Sequence, residues 1–185
     1  EKKENYSKYY GILGETENGI QSEYVTLSPK NIHLMSNHLS FEESASMQLV
    51  FMTSYQMLVK RAKLKENEFV LIYGATSGVG SAAIQIAKDM NAKVITTVGS
   101  KDKFNYAHDM GADYVLDHSK PYTSIIKDIT NNNGVDVVFE HIGPITWDNS
   151  LRVLNKGGRL VTCGSTTGSK VSIDLRYLFS KQQEI

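Results

Sequence analysis

Residues 69–90, FVLIYGATSGVGSAAIQIAKDM, constrain the fold more than any other stretch. The run 69–73 is short and apolar, the pattern of a strand buried on both faces, and it gives way at once to glycine and small residues. Val79, Ala82, Ala83, Ile86, Ala87 and Met90 then recur at three-and-four spacing, so a helix follows. Between the two lies Gly74-Ala75-Thr76-Ser77-Gly78-Val79-Gly80. Small side chains there let an anion approach the unpaired N–H groups of the first helical turn, which is the chemistry of a pyrophosphate seat. Against the spacing G-x-G-x-x-G the register puts Ala75, Ser77 and Gly80, so only the last glycine is kept and Gly78 is an addition. The same loop also reads as a turn whose glycines serve packing alone.

Strand and helix alternate from there on, the signature of a doubly wound parallel sheet in an α/β fold. Strands are expected at 93–98, 114–116, 135–139 and 159–163. The helix over 101–110 is closed by Gly111; the next, opened by Pro121, carries Ile125, Ile126 and Ile129. Pro144 begins another whose Trp147, Leu151 and Leu154 share a face until Gly157-Gly158, and Asp174 caps a last helix over 175–181. The chain stops at Ile185 as a further strand would be starting, which leaves the fifth as a bare edge. It opens on Glu1 in the charged run EKKENYSK. Both ends are read as those of a piece of a longer protein.

Upstream, residues 11–36 alternate around segments such as Glu23-Tyr24-Val25-Thr26-Leu27 and read as strands and turns of a β-rich unit, too short for a barrel. Ser40-Phe41-Glu42-Glu43 has the form of a capping box. The long helix it opens is expected to bury Ala45, Leu49, Met52, Tyr55, Leu58, Val59 and Ala62. Twenty basic residues balance twenty acidic ones, so no net field draws the chain to nucleic acid or to an anionic membrane. One cysteine excludes a disulfide framework and suits a reducing compartment, the cytoplasm. The most apolar stretch, 47–59, is broken by Gln48, Thr53, Ser54 and Gln56, so nothing reads as a membrane span.

The second strand ends Val98-Gly99-Ser100-Lys101-Asp102-Lys103. An acid at such a tip would bind a free ribose 2′-hydroxyl, whereas small polar and basic residues accept a 2′-phosphate. Ser100 can donate to a phosphate and Lys103 can bring a cation to it, which favours NADPH over NADH. The plainer alternative makes Ser100 an N-cap and the lysines a solvated face.

The segments GATSGVGSAAIQIAK, TTVGSKDK, GADYVLDH, GVDVVFEHIG, GGRLVTCGSTTG and IDLRYLF, in that order, resemble the medium-chain dehydrogenase/reductase superfamily. Within it they are similar to quinone-oxidoreductase-like and zinc-type alcohol-dehydrogenase-like members, acryloyl-CoA reductases among them. The resemblance implies the tail of an N-terminal GroES-like barrel in residues 1–36. It implies a Rossmann NAD(P)-binding domain in 37–185, without its last strand and closing segment. It also implies pyrophosphate contacts at Ser77, Gly78, Val79 and Gly80, and a 2′-phosphate site at Ser100 and Lys103. His118 stands where many relatives carry tyrosine, and reads either as a phosphate ligand or as a surface histidine. Thr53 matches a threonine near the nicotinamide, or else is a helix hydroxyl bonding its own backbone. Gly143 and the Cys163-Gly164-Ser165 loop fall where the sheet's ligand crevice opens. Cys163 itself is expected to be a small buried residue rather than a nucleophile.

Zinc-dependent relatives place a ligand on the long helix, where this chain has Gln48-Leu49-Val50-Phe51, and a cysteine where it has Ser7. Neither stretch offers a thiolate, imidazole or carboxylate, so zinc is not expected from this segment. His33, His38, His108 and His141 show no paired spacing and are left as ordinary residues. Without a metal to polarise an alcohol, a bound NADPH would deliver hydride to a carbon activated by conjugation: an enone, a quinone or an enoyl or acryloyl thioester. The alternatives are a zinc alcohol dehydrogenase and a nucleotide-binding module without turnover. No catalytic acid is identifiable; Tyr9, Tyr10 and Tyr24 are nominated by location alone. The partner is a small-molecule substrate, and likeness to the family implies a homodimer. Taken alone the chain lacks a substrate wall and is expected to be nearly inactive.

Overall fold

Five apolar runs become the strands of one sheet in a computed structural model, which describes residues 10–185: β1 (Phe69–Ile72), β2 (Lys93–Val98), β3 (Tyr114–Asp117), β4 (Val135–Glu140) and β5 (Leu154–Thr162). They lie in the order β3-β2-β1-β4-β5, and every neighbouring pair is parallel. Parallel pairing requires crossovers, which the helices supply: α2 (Gly78–Asp89), α3 (Phe104–Asp109), α4 (Thr123–Ile129) and α5 (Pro144–Val153), with α1 (Phe41–Tyr55) before and α6 (Leu175–Lys181) after. Because β1 is central and the order reverses on either side of it, the gap between the ends of β1 and β4 is the topological switch point.

Alternate residues of the strands feed two cores. On one face Val70, Ile72, Val94, Val98, Val137 and Phe139 pack with Ala83, Ile84 and Ala87 of α2 and Ala107 of α3. On the other, Leu71, Ile95, Val138 and Leu160 pack with Ile126 of α4 and with Trp147 and Leu151 of α5. Each such Val, Ile or Leu, fully buried, contributes roughly 1.5–3 kcal/mol of transfer free energy, so the double winding is where the sheet's stability lies.

Several expectations are corrected. On α1, Leu49, Met52 and Tyr55 are 68%, 64% and 48% exposed, while Ser54, Leu58 and Ala62 are fully buried. Apolar residues lie all round this helix, so spacing alone did not single out a face. A π-helical turn at Gln56–Arg61, closed by Ala62 N–H donating to the Met57 carbonyl at 2.8 Å, also shifts the phase of its last residues. Pro121 precedes α4 by two residues instead of opening it. Leu154 belongs to β5, not to the helix before it, because α5 passes into the strand without a loop. At the β5 edge Glu184 forms a single parallel bridge, accepting from Leu160 N–H at 2.8 Å and donating to Gly158 O at 3.0 Å, where a further strand is expected to start.

The chain divides after Ser40 into two units. Among the described residues 10–40 no strand forms; one bridge joins Leu13 to Glu17 and a 3-10 turn spans Pro29–Asn31. Residues 23–27 alternate as a strand would, but a strand is completed only by a neighbour's hydrogen bonds, and Tyr24 is 91% exposed. Ser7 and Tyr9 lie outside the described residues.

Candidate functional site

The glycine turn sits at the switch point, and local bonds fix its shape. Gly74 N–H donates to the Thr97 hydroxyl at 3.2 Å and Ala75 N–H to the Thr97 carbonyl at 3.0 Å, so β2 holds the turn that leaves β1. Ser77 is the N-cap of α2, its hydroxyl accepting from Gly80 N–H at 3.0 Å. Gly80 is required by close approach: a Cβ there would stand 2.1 Å from the Gly74 carbonyl oxygen. Gly78, the extra glycine, lies against α1, where a Cβ would meet Val50 Cγ1 at 2.8 Å. Ser54 completes that contact by donating to the Val79 carbonyl at 3.0 Å. Packing therefore accounts for Gly78. The N–H groups of Gly78 and Val79, in the first helical turn, have no acceptor within the helix and face the end of the sheet with the positive end of the helix dipole.

Toward β2 and β3 the site is exposed and charged. His118, at the end of β3, leans over Gly99, its Nε2 3.0 Å from where a Cβ of Gly99 would be. Ser100 does not cap the following turn; the Ser100 hydroxyl beside Asp102, then the backbone and Lys103, hold the Asp102 carboxyl below its usual range.

Toward β4 and β5 the exit loops are tied together. Thr166 donates to the His141 carbonyl through its N–H (3.3 Å) and hydroxyl (3.0 Å), and Thr167 does the same to the Ile142 carbonyl at 2.8 Å from each. This brings Gly143, Cys163, Gly164 and Ser165 to one end of the crevice. Cys163 is exposed, contrary to the expectation of burial, because β5 ends at Thr162 and the loop turns outward. Partial desolvation and then the charge of Glu140 raise its thiol pKa, so it is a poor nucleophile at neutral pH. Thr53 is half-buried on α1 and its hydroxyl makes no hydrogen bond to a described residue; its neighbour Ser54 makes the contact to α2.

Between these ends lies a cavity of about 530 Å³ lined by Gly74, Thr97, His118, Pro121, Ile142 and Asn149 among others, within the size range of small-molecule sites. Three buried polar groups near it carry no clear mark in the sequence. His141 is buried at the switch point, with Nε2 2.8 Å from the Tyr73 carbonyl; since a carbonyl only accepts, Nε2 carries the ring proton. Burial pushes the Tyr73 phenol well above its ordinary range, helped by neighbouring Tyr122. Glu140, at the end of β4, is fully buried. The signal for Glu140 was present, an acid ending an otherwise apolar strand, but its partners lie on the following helix. Among the described residues no three His, Cys, Asp or Glu side chains converge to hold a metal ion, and no step is derived through one. No helix of the described residues is long and apolar enough to cross a membrane.

The family model for zinc-binding dehydrogenases matches residues 78–185. A crotonyl-CoA reductase of Streptomyces avermitilis is 34% identical over 92% of this chain and 43% of its own length. Among solved structures, an NAD-dependent alcohol dehydrogenase superposes with a TM-score of 0.92 at 35% identity, covering 97% of this chain and 53% of that one. The Escherichia coli quinone oxidoreductase complexed with NADPH superposes with a TM-score of 0.75 at 32% identity, over 82% of this chain and 47% of that one. The chain spans about half the length of the relatives it matches.

Proposed function

The chain belongs to the zinc-binding dehydrogenase family, within the medium-chain dehydrogenase/reductases, and from that premise we propose that it forms the NADPH-binding part of a reductase acting on an activated C=C bond or a quinone. The observation that carries this reading is the turn at the switch point. There Gly80 must lack a side chain, Ser77 caps α2, and the first-turn N–H groups are left for a diphosphate. The remaining residues fit the two nucleosides on either side. His118, Ser100 and Lys103 stand toward the 2′-phosphate, and the slot between Pro121 and Ile142 takes the adenine ring between apolar walls. Gly143, Gly164 and Ser165 lie at the opposite end, where a dinucleotide straddling the switch point would place its nicotinamide.

When bound, the cofactor supplies the hydride. The chain's residues bind it, orient it across the sheet edge and exclude water from beneath it with the apolar cores. Two of the three relatives' names, crotonyl-CoA reductase and quinone oxidoreductase, support an acceptor activated by conjugation; the third, an NAD-dependent alcohol dehydrogenase, favours an alcohol and is the reading to be tested against it. Homodimer formation, a GroES-like origin for residues 1–36 and a cytoplasmic location remain part of the same proposal. The test is a titration of the chain with NADPH and NADH, followed by the quenching of its single tryptophan. Saturable binding with NADPH tighter is expected, and no binding of either would overturn the reading. Loss of reduced-nicotinamide absorbance with an enoyl thioester, a quinone or an alcohol supplied separately then identifies the acceptor.

A further inference from the structure

The least expected group in the molecule is the carboxylate of Glu140, fully buried at the end of β4. One oxygen accepts from Ile142 N–H at 2.6 Å and Gly143 N–H at 3.1 Å; the other accepts from the hydroxyls of Thr146 at 2.9 Å and Ser150 at 2.8 Å. Burying a charge is costly, and an apolar residue of like size would serve a core as well. Such a residue would not hold the two loop N–H groups, which are the inner side of the β4 exit. The outer side, the carbonyls of His141 and Ile142, is held by Thr166 and Thr167. Gly143 itself sits at φ 96° and ψ −136°, a conformation open to glycine and closed to most other residues, so the loop has one shape only while both sides are held.

The same carboxylate orders a chain that runs to the other end of the groove. Ser150 has one hydroxyl proton, and two groups beside it can only accept, the Glu140 carboxylate at 2.8 Å and the Thr146 carbonyl at 2.9 Å; the proton is taken up there, and across the 3.0 Å contact the Tyr73 phenol is left to donate to Ser150. Tyr122 then donates to the Tyr73 oxygen at 3.3 Å, and the Asn149 amide donates to the Tyr122 oxygen at 3.4 Å. Tyr122 and Asn149 line the cavity.

We propose that Glu140 is a positioning residue: its carboxylate, itself held by Thr146 and Ser150, fixes the Ile142–Gly143 backbone that receives the nicotinamide half of the cofactor. This rests on the cofactor reading above, and the experiment separates the two. The chain, Glu140→Gln and Ser150→Ala are each titrated with 2′,5′-ADP, which carries only the adenosine half, by calorimetry, and with NADPH by the fluorescence of Trp147, which stands beside Gly143 and Ser165. The ratio of the two dissociation constants measures what the nicotinamide half adds. Glutamine keeps the volume and one accepting oxygen but removes the charge. In Glu140→Gln the ratio is expected to fall about tenfold, as a displaced loop would cause, with 2′,5′-ADP affinity changed less than about twofold. In Ser150→Ala, where the carboxylate loses one of its four donors, it is expected to fall about threefold.

A merely structural role would weaken both ligands alike and leave the ratio where it was; that result, or no change in either constant, overturns the proposal. If circular dichroism finds Glu140→Gln unfolded, Ser150→Ala decides by the same ratio. Failure of 2′,5′-ADP to bind the unaltered chain would overturn the cofactor reading and this inference with it.

Discussion

The turn at Gly74–Gly80 and the tip of β2 serve the same proposed ligand by opposite means. The turn is built from backbone: Gly80 is buried, its neighbours approach within van der Waals limits, and its hydrogen bonds run to Thr97 and Ser77. The tip is built from side chains, with Lys103, Asp102 and His118 all exposed. A site made of packed backbone tolerates no change of volume and is indifferent to salt. A site made of exposed charges tolerates change but is weakened by solvent and counter-ions. The first therefore decides whether a dinucleotide binds, and the second decides which one.

The harshest way to break the comparison is Gly80→Ala. The added carbon would lie 2.1 Å from the Gly74 oxygen and 2.8 Å from Ser77 Oγ, and the first contact is with backbone that β2 holds. A loss of stability of about 3 kcal/mol is expected, with loss of both NADPH and NADH binding, measured by thermal unfolding and by titration. An unaltered melting temperature would mean the turn is looser than its hydrogen bonds imply. At the tip, Lys103→Glu is expected to leave stability alone. It should weaken NADPH about tenfold, or about 1.4 kcal/mol, and NADH by less than about twofold, in paired fluorescence titrations. Equal losses for the two coenzymes would remove Lys103 from the phosphate site.

Between the two lies the contact of α1 with α2. Ser54 is fully buried and donates to the Val79 carbonyl. Ser54→Ala should cost about 1 kcal/mol of stability, read by urea unfolding, and leave the NADPH to NADH ratio unchanged. A shifted ratio would mean that α1 acts on selectivity and not only on packing.

What the sequence disclosed follows the same division. β2 was bounded at Lys93 and Val98 as found, because an apolar run between a charge and a glycine admits one reading. The α6 cap at Asp174 was equally plain, its carboxylate accepting from Arg176 N–H at 3.0 Å. The parallel sheet and the placing of the glycine turn needed only periodicity and parallel connection rules. Tertiary partnership was not legible. The buried face of α1 was hidden by apolar residues all round the helix, and the start of β5 at Leu154 depended on a helix that ends without a loop. Glu140 looked like the polar end of a strand because Thr146 and Ser150 carry no mark of facing it. Nor did Asp102 carry any mark of the Ser100 hydroxyl and Lys103 beside it, which hold its carboxyl low.

That last contact yields the mildest prediction and the one that most sharpens the comparison. Asp102 is fully exposed, and its carboxyl is held low by Ser100 first, then by its own backbone and by Lys103. In that state it competes for the Ser100 hydroxyl and for part of the field of Lys103, both of which a 2′-phosphate would use, and adds a like charge beside that phosphate. Asp102→Asn leaves the helix start intact and frees both groups. NADPH affinity should rise about threefold at low ionic strength, and the gain should shrink as salt approaches 0.5 M, where screening acts over only a few ångströms. NADH, which carries no 2′-phosphate, should respond less. Were NADH instead to lose affinity while NADPH stayed constant, Asp102 would be binding the free ribose hydroxyl, and the tip of β2 would be selecting the unphosphorylated coenzyme.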